Sequence, residues 1–143
     1  MTNPFRPGDQ KTHRYVISTA DLADFGPDRG GLVHAVCGTF ALARELEWAS
    51  RLFVLDMTAA DEEGIGTALQ IEHLAPAFAD ETLTVAATFV ALDGNDLRCS
   101  VEAWVGERRV ATGRTGQRIV AGARLAAHFA KFVSCCLLLV SSW

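Results

Sequence analysis

A histidine, a glutamate and a threonine are the side chains of this sequence best placed to do chemistry. His73 lies in the segment GTALQIEHLAP, in which apolar and polar residues alternate. If the segment is a strand, Leu69, Ile71 and His73 share one face, and the titratable imidazole lies on the buried side. The alternative is a half-buried histidine with a purely structural hydrogen bond.

Glu47 belongs to a segment whose composition predicts one long helix, from His34 to about Leu55. It falls on an apolar stripe of that helix, where a carboxylate is costly. The alternative is an exposed ion pair with Arg51, one turn later. Thr39 lies two turns before Glu47 on the same half of the helix, so its hydroxyl can face the same cavity or bond back to the preceding turn.

The stripe with Glu47 holds Val36, Phe40, Ala43 and Ser50. A second apolar stripe beside it consists of Leu42, Leu46, Ala49 and Phe53. A helix that is apolar around most of its circumference is typically the covered, central helix of a small domain.

These residues together resemble the fluoroacetyl-CoA thioesterase-like branch of the hotdog-fold superfamily. The resemblance rests on Thr39 eight residues before Glu47-Trp48-Ala49, followed by GTALQIEHLAP, whose His73 lies about two dozen residues further on. It extends from about Gly8 to Ala130, nearly the whole chain. It implies a hotdog fold and hydrolysis of an acyl thioester.

The resemblance also implies the roles of particular residues. Thr39, Glu47 and His73 match the family's catalytic positions, Gly66 matches its substrate-contacting glycine, and Arg118 matches an arginine on its last strand. It implies a homodimer or higher oligomer, in which the glutamate and histidine of each site come from different protomers. It implies no cofactor beyond the CoA thioester substrate.

Two departures from the family pattern bear on specificity. Phe40 follows the threonine where family members often have glycine or proline. Gly30 and Val33 stand at the positions of the aromatic lid of the fluoroacetate-resistance enzyme. Small side chains there leave little bulk to discriminate a fluoromethyl from a methyl group, so we expect no strong preference for a fluorinated substrate.

The remaining segments complete an α+β hotdog fold: one antiparallel five-stranded sheet wrapped around the long helix. The 143 residues suffice for one core. Alternation and turn residues predict strands at 12–18, 65–74, Thr82–Leu92, Leu97–Val105 and Arg108–Val120, with a helical turn within Thr19–Phe25. We assign residues 8–130 to this domain and 131–143 to an apolar tail, which could be a packed terminal helix or strand, an interface element, or a disordered end.

Composition limits the partners and the compartment. Thirteen basic and seventeen acidic residues, with no basic stripe, argue against nucleic acid. The apolar tail is too short to span a bilayer, which needs roughly 20 residues. Four scattered histidines and four cysteines without C-x-x-C spacing predict no metal site, and the cysteine usage predicts a cytoplasmic protein with reduced thiols.

The sequence therefore predicts an acyl-CoA thioesterase acting on a small to medium acyl group. Attack on the thioester carbonyl would come from water activated by Glu47 or from the Glu47 carboxylate itself. Two alternatives remain: a non-catalytic acyl-CoA-binding hotdog module, and a hotdog hydratase or dehydratase.

Overall fold

The computed structural model describes the backbone of residues 1–140 and the side chains of residues 1–133. It contains two α-helices, seven strands and two short 3₁₀ turns. The helices are α1 (Thr39–Met57) and α2 (Gly122–Val140); the strands are β1 (Gln10–Val16), β2 (Leu22–Asp24), β3 (Leu32–Cys37), β4 (Glu62–His73), β5 (Thr82–Asp93), β6 (Asp96–Val105) and β7 (Arg108–Ala121).

The predicted five-stranded antiparallel sheet around one long helix is confirmed. Its strand order is β1-β5-β6-β7-β4, with every neighbouring pair antiparallel. The second apolar stripe of α1 lies in the core, where burial of its side chains stabilises the contact between helix and sheet. These four residues are fully buried: Leu42, Leu46, Ala49 and Phe53.

Tight turns join the consecutive strands β5, β6 and β7. Gly94 (φ +62°) and Asn95 connect β5 to β6, and Gly106 (φ +57°) and Glu107 connect β6 to β7. Two-residue hairpin turns of this kind favour glycine, because a positive φ is costly for residues with a Cβ. The turn residues thus fix the register of three neighbouring strands.

The predicted start of the long helix is wrong by five residues. The segment from His34 to Cys37 is the end of β3, which forms a separate two-stranded sheet with β2, and α1 begins only at Thr39. Gly38 separates the two elements, and its N–H donates to the carbonyl of Asp21 rather than into a helix. Val36 therefore lies outside the helical stripe to which the pattern assigned it.

The prediction that the His73 face of β4 is buried holds only in part. The face points toward α1, but β4 is an edge strand with no neighbour on its outer side. Leu69 is 42% exposed, and Ile71 and His73 are half-buried. Alternation predicts the direction of a side chain, whereas coverage depends on what packs beyond the edge.

Residues 131–140 of the predicted tail belong to α2, which begins at Gly122, before the start of the tail. Leu125 packs against the body of the protein, whereas Phe129, Phe132 and Val133 are exposed. The side chains of residues 134–140 and all of residues 141–143 lie outside the described part of the chain. Within the described residues, no helix is long and apolar enough to cross a membrane.

Candidate active site

The first half of the site joins the start of α1 to the end of β4. The Thr39 hydroxyl and His73 Nδ1 lie 3.0 Å apart, at hydrogen-bonding distance. The backbone just before Thr39 is fixed by two hydrogen bonds, from Cys37 N to Ala77 O (2.7 Å) and from Gly38 N to Asp21 O (2.8 Å). The first turn of α1 therefore holds Thr39 against the imidazole.

The second half of the site is formed by Glu47 and Gly66. A Cβ built on Gly66 would lie 2.3 Å from Glu47 Oε1, so the carboxylate occupies the space that any larger residue at position 66 would need. A β-bulge follows Gly66, where Thr67 has no register partner on β7. Bulges of this kind redirect side chains and are common beside active sites. Glu47, Gly66, Thr67, Ala68 and Leu69 line a cleft of about 270 Å³.

The alternative ion pair between Glu47 and Arg51 is absent. Arg51 instead donates to the main-chain oxygen of Gly64, at 2.8 Å. Across the side chains of residues 1–133, the Glu47 carboxylate has no hydrogen-bond or ion-pair partner. Its oxygens are therefore available to a molecule in the cleft.

The main chain of Glu47 is held from below by two buried polar side chains. Ser50 Oγ donates to Glu47 O at 2.8 Å, and Gln117 Nε2 donates to Ser50 Oγ at 2.7 Å and to Glu47 O at 3.3 Å. Ser50 lies on the predicted Glu47 stripe, whereas Gln117 is not among the residues that the sequence predicts for the site. Strand alternation places Gln117 on the same face as Thr115 and Ile119, both of which are buried, and this pattern could have indicated that Gln117 points into the core.

The two halves of the site are apart within one chain. Thr39 and Glu47 are separated by eight residues of α1, which corresponds to about 12 Å along the helix axis. No hydrogen bond joins Glu47 to either Thr39 or His73 among the described side chains. Gly66 accompanies the glutamate, at the opposite end of β4 from the histidine.

Arg118 lies on the other face of the sheet. Its neighbours Gln117 and Ile119 are buried toward α1, so the Arg118 side chain projects outward. Its guanidinium binds Asp96 through two hydrogen bonds of 2.6 and 3.1 Å, and this contact lowers the pKa of the Asp96 carboxyl below its ordinary value. Within one chain the structure therefore does not bring Arg118 to Thr39, Glu47 or His73.

A different polar cluster lies on the opposite side of α1, and both of its carboxylates are paired, whereas His13 Nδ1 is buried without a hydrogen-bond partner among the described residues. The Glu45 carboxylate contacts His13 Nε2 at 2.9 Å and Arg44 Nε at 3.0 Å. Arg44 also binds Asp21 at 2.8 Å, and Tyr15 donates to Asp21 at 2.6 Å. We call these five residues the Asp21–Glu45 cluster.

Cys37 is excluded as a nucleophile, although it lies two residues before Thr39. Burial raises the pKa of its thiol to about 11, so the reactive thiolate is not formed near neutral pH. Cys37 and Cys99 are both free and buried. Within the described residues, no group of three His, Cys, Asp or Glu side chains could hold a metal ion.

Solved structures with the same architecture identify the class of fold. A hypothetical protein from Thermus thermophilus, described as a thioesterase superfamily member, superimposes with a TM-score of 0.90 at 27% identity, over 96% of this chain and 99% of its own. A hot-dog-like protein from Thermanaerovibrio acidaminovorans gives a TM-score of 0.79 at 18% identity, over 89% of this chain and 92% of its own. The chain is a hotdog-fold protein of the thioesterase superfamily.

The family follows from the sequence match. The family described as "Fluoroacetyl-CoA-specific thioesterase" matches residues 17–123, and the chain belongs to it. The structure of the fluoroacetyl-CoA thioesterase FlK gives a TM-score of 0.81 at 21% identity, over 89% of this chain and 96% of its own. No curated protein matches the chain. The resemblance seen in the sequence is thus confirmed, and the chain is a thioester hydrolase by family.

Proposed function

We propose that this protein hydrolyses an acyl-CoA thioester with a small to medium acyl group, and that Glu47 drives the reaction. The observation that carries the proposal is the Glu47 carboxylate, which lies over Gly66 in a cleft and has no partner among the described side chains. A half-buried carboxylate without a partner is energetically unfavourable, and its presence therefore suggests a functional reason. Membership of a thioesterase family supplies the reaction type.

In the proposed reaction Glu47 acts on the thioester carbonyl. Either it removes a proton from the attacking water, or its own oxygen attacks and forms a mixed anhydride that water then hydrolyses. In both routes the carbon–sulfur bond breaks and the thiolate of CoA leaves. Gly66 keeps the main chain close to the carboxylate, which leaves room for the acyl group.

His73 is proposed to serve the leaving thiolate. Its Nδ1 faces the Thr39 hydroxyl, so that Nε2 is the nitrogen available to the substrate. An imidazole can pass a proton to the sulfur and take one from water at neutral pH. Thr39 fixes the orientation of the ring.

We propose that a second copy of the chain completes the site. β4 is an edge strand, and its residues 66–70 are exposed. If two copies of β4 pair antiparallel about a two-fold axis near the middle of the strand, the Gly66 part of one copy lies beside the His73 end of the other. Glu47 of one protomer then meets the Thr39–His73 pair of the other, and each exposed edge is covered.

The proposal has three further parts, which concern Arg118, the lid positions and the compartment. Arg118 is proposed to contact the CoA phosphates, in place of its bond to Asp96. Val33 is 51% exposed and Gly30 has no side chain, so these lid positions supply little apolar wall for a fluoromethyl group. The free thiols of Cys37 and Cys99 suit a cytoplasmic protein.

Replacing Glu47 tests the activity directly. Free thiol release should be followed with acetyl-, fluoroacetyl-, branched, aromatic and medium-chain acyl-CoA. We expect hydrolysis by the wild type without a strong fluoroacetyl preference, and a loss of at least ~10²-fold in kcat in Glu47→Gln.

Glu72→Gln is the matched control, because Glu72 lies exposed on the outer face of β4 beside His73. It should retain the wild-type rate. Wild-type turnover by a folded Glu47→Gln protein would refute the assignment of Glu47. Failure of the wild type on every acyl-CoA would favour the acyl-CoA-binding alternative.

Complementation tests the shared site. Glu47→Gln and His73→Ala subunits, each inactive alone, should regain part of the activity when they are co-expressed, because a mixed dimer has one intact site. Separately tagged subunits verify the heterodimer. A fully active monomer in sedimentation would contradict the dimer, and inactive verified heterodimers would contradict the shared site.

A further inference from the structure

Gln117 is an amide buried in the apolar core. It is 1% exposed and lies on the inner face of β7, two residues from Ile119. Burying an amide is costly, and Gln117 recovers part of that cost through Nε2, while its Oε1 has no hydrogen-bond partner among the described residues. The Gln117 donors are both directed to one turn of α1, through Ser50 Oγ and Glu47 O.

Gln117 and Gly66 contact the same glutamate from two sides. The two residues are register partners across the β4–β7 ladder. Gln117 holds the main-chain carbonyl of Glu47, and Gly66 lies under its carboxylate. This cross-strand pair therefore contacts Glu47 at both its main-chain carbonyl and its carboxylate, immediately before the bulge in β4.

Glu47 is held by hydrogen bonds to its main-chain carbonyl and not by an ion pair to its carboxylate. Arg51, one turn after Glu47 on the helix, donates to Gly64 O and does not hold the carboxylate. An ion pair would fix Glu47 but occupy its oxygens. Anchoring the carbonyl instead fixes the residue and leaves the carboxylate free.

We propose that Gln117, acting through Ser50, is a positioning residue for Glu47 in thioester hydrolysis. The inference rests on the proposed function. A displacement of about 1 Å at a reacting group can reduce a rate up to about 10²-fold, so loss of the anchor should be measurable. The effect should fall on kcat, since Gln117 does not itself line the cleft over Gly66.

The test compares Gln117→Met and Ser50→Ala with Thr115→Val. Methionine keeps the length of glutamine and removes its donors. Thr115 is the next inward residue of β7, is 4% exposed, and makes no hydrogen bond to α1, so it serves as the control. We expect kcat to fall about 10-fold in Gln117→Met and several-fold in Ser50→Ala, with KM within about 3-fold of wild type and with Thr115→Val unchanged.

A double-mutant cycle separates positioning from a general structural role. In a Glu47→Asp background the shorter side chain already withdraws the carboxylate. Adding Gln117→Met should then lower kcat by less than about 3-fold. Melting temperatures establish that each variant is folded. Unchanged kcat in folded Gln117→Met and Ser50→Ala would overturn the inference, and so would an equal loss in the Glu47→Asp background.

A crystal structure of Gln117→Met gives a readout that is independent of activity. We expect the Glu47 carboxylate to move away from Gly66. If it stays in place, the inference is wrong even where hydrolysis is confirmed. Absence of hydrolysis by the wild type would instead refute the proposed function, and the crystal structure would still decide whether Gln117 fixes Glu47.

Discussion

Glu45 and Glu47 lie two residues apart on α1 and have opposite surroundings. Glu45 is 7% exposed and binds both His13 and Arg44, whereas the Glu47 carboxylate has no partner among the described side chains. Residues two positions apart on a helix point in directions that differ by about 200°. One glutamate therefore points into the Asp21–Glu45 cluster, which ties α1 to β1, and the other points over Gly66.

The difference separates a paired, stabilising carboxylate from an unpaired one that we propose to be reactive. A buried charge is tolerated when hydrogen bonds and opposite charges compensate its lost hydration, as they do at Glu45. Glu47 lacks this compensation in the isolated chain, and a substrate or a partner subunit is what can provide it. We expect substitutions at the two sites to affect different quantities, stability at one and rate at the other.

The largest effect is expected from a pair of glycine substitutions on β4. In Gly66→Ala the new methyl group would lie 2.3 Å from Glu47 Oε1 and must displace the carboxylate, which can move at little cost to the fold. We expect kcat to fall about 10²-fold with a nearly unchanged melting temperature.

Gly64→Ala is the matched variant two residues earlier. Its methyl group would lie 2.3 Å from Cγ1 of Val54, a core side chain, so it should lower stability and leave the rate per folded molecule unchanged. A Gly66→Ala protein with full activity would show that the carboxylate need not lie where the structure has it.

The sequence singles out Glu47 and His73 as candidate site residues but does not predict their surroundings. Helical spacing and strand alternation are local, and they correctly predict which faces of α1 and β4 turn toward each other. Pairing is not local: Glu45 is partnered by His13, 32 residues away, and Gln117 lies 70 residues from Glu47. No periodicity within one segment reports such contacts.

The misplaced helix start has a similar origin. Residues 34–37 contain no proline, so composition permits a helix there. The β2–β3 pairing and the bond from Cys37 N to Ala77 O decide otherwise, and both are tertiary. The exposure of Leu69 likewise follows from an edge that the strand pattern cannot show.

Glu45→Ala should lower stability more than activity. The substitution removes the carboxylate partner of half-buried His13 and one of the two carboxylate partners of Arg44, and we expect a loss of about 2 kcal/mol in the free energy of unfolding. Urea denaturation measures it, and kcat per folded molecule should stay within about 3-fold of wild type. A large loss of kcat with unchanged stability would make Glu45 part of the active site and remove the contrast with Glu47.

The smallest effect is expected from acid, through Asp21. Burial favours its neutral form, but hydrogen bonds from Arg44, Tyr15 and Ser18 outweigh burial and lower the pKa of this carboxyl from 3.8 to about 2. Because the folded pKa lies below the unfolded one, Asp21 stabilises the fold above about pH 4, and this contribution is lost as the pH falls toward 2. Between pH 5 and pH 3 the wild type should lose about 1 kcal/mol more stability than Asp21→Asn, which has no carboxyl to titrate. Parallel urea denaturation at the two pH values measures the difference. Equal losses would mean that the charge of Asp21 does not stabilise the contact between the cluster and α1. The contrast between a carboxylate stabilised by pairing and an unpaired one at Glu47 would then lose its support.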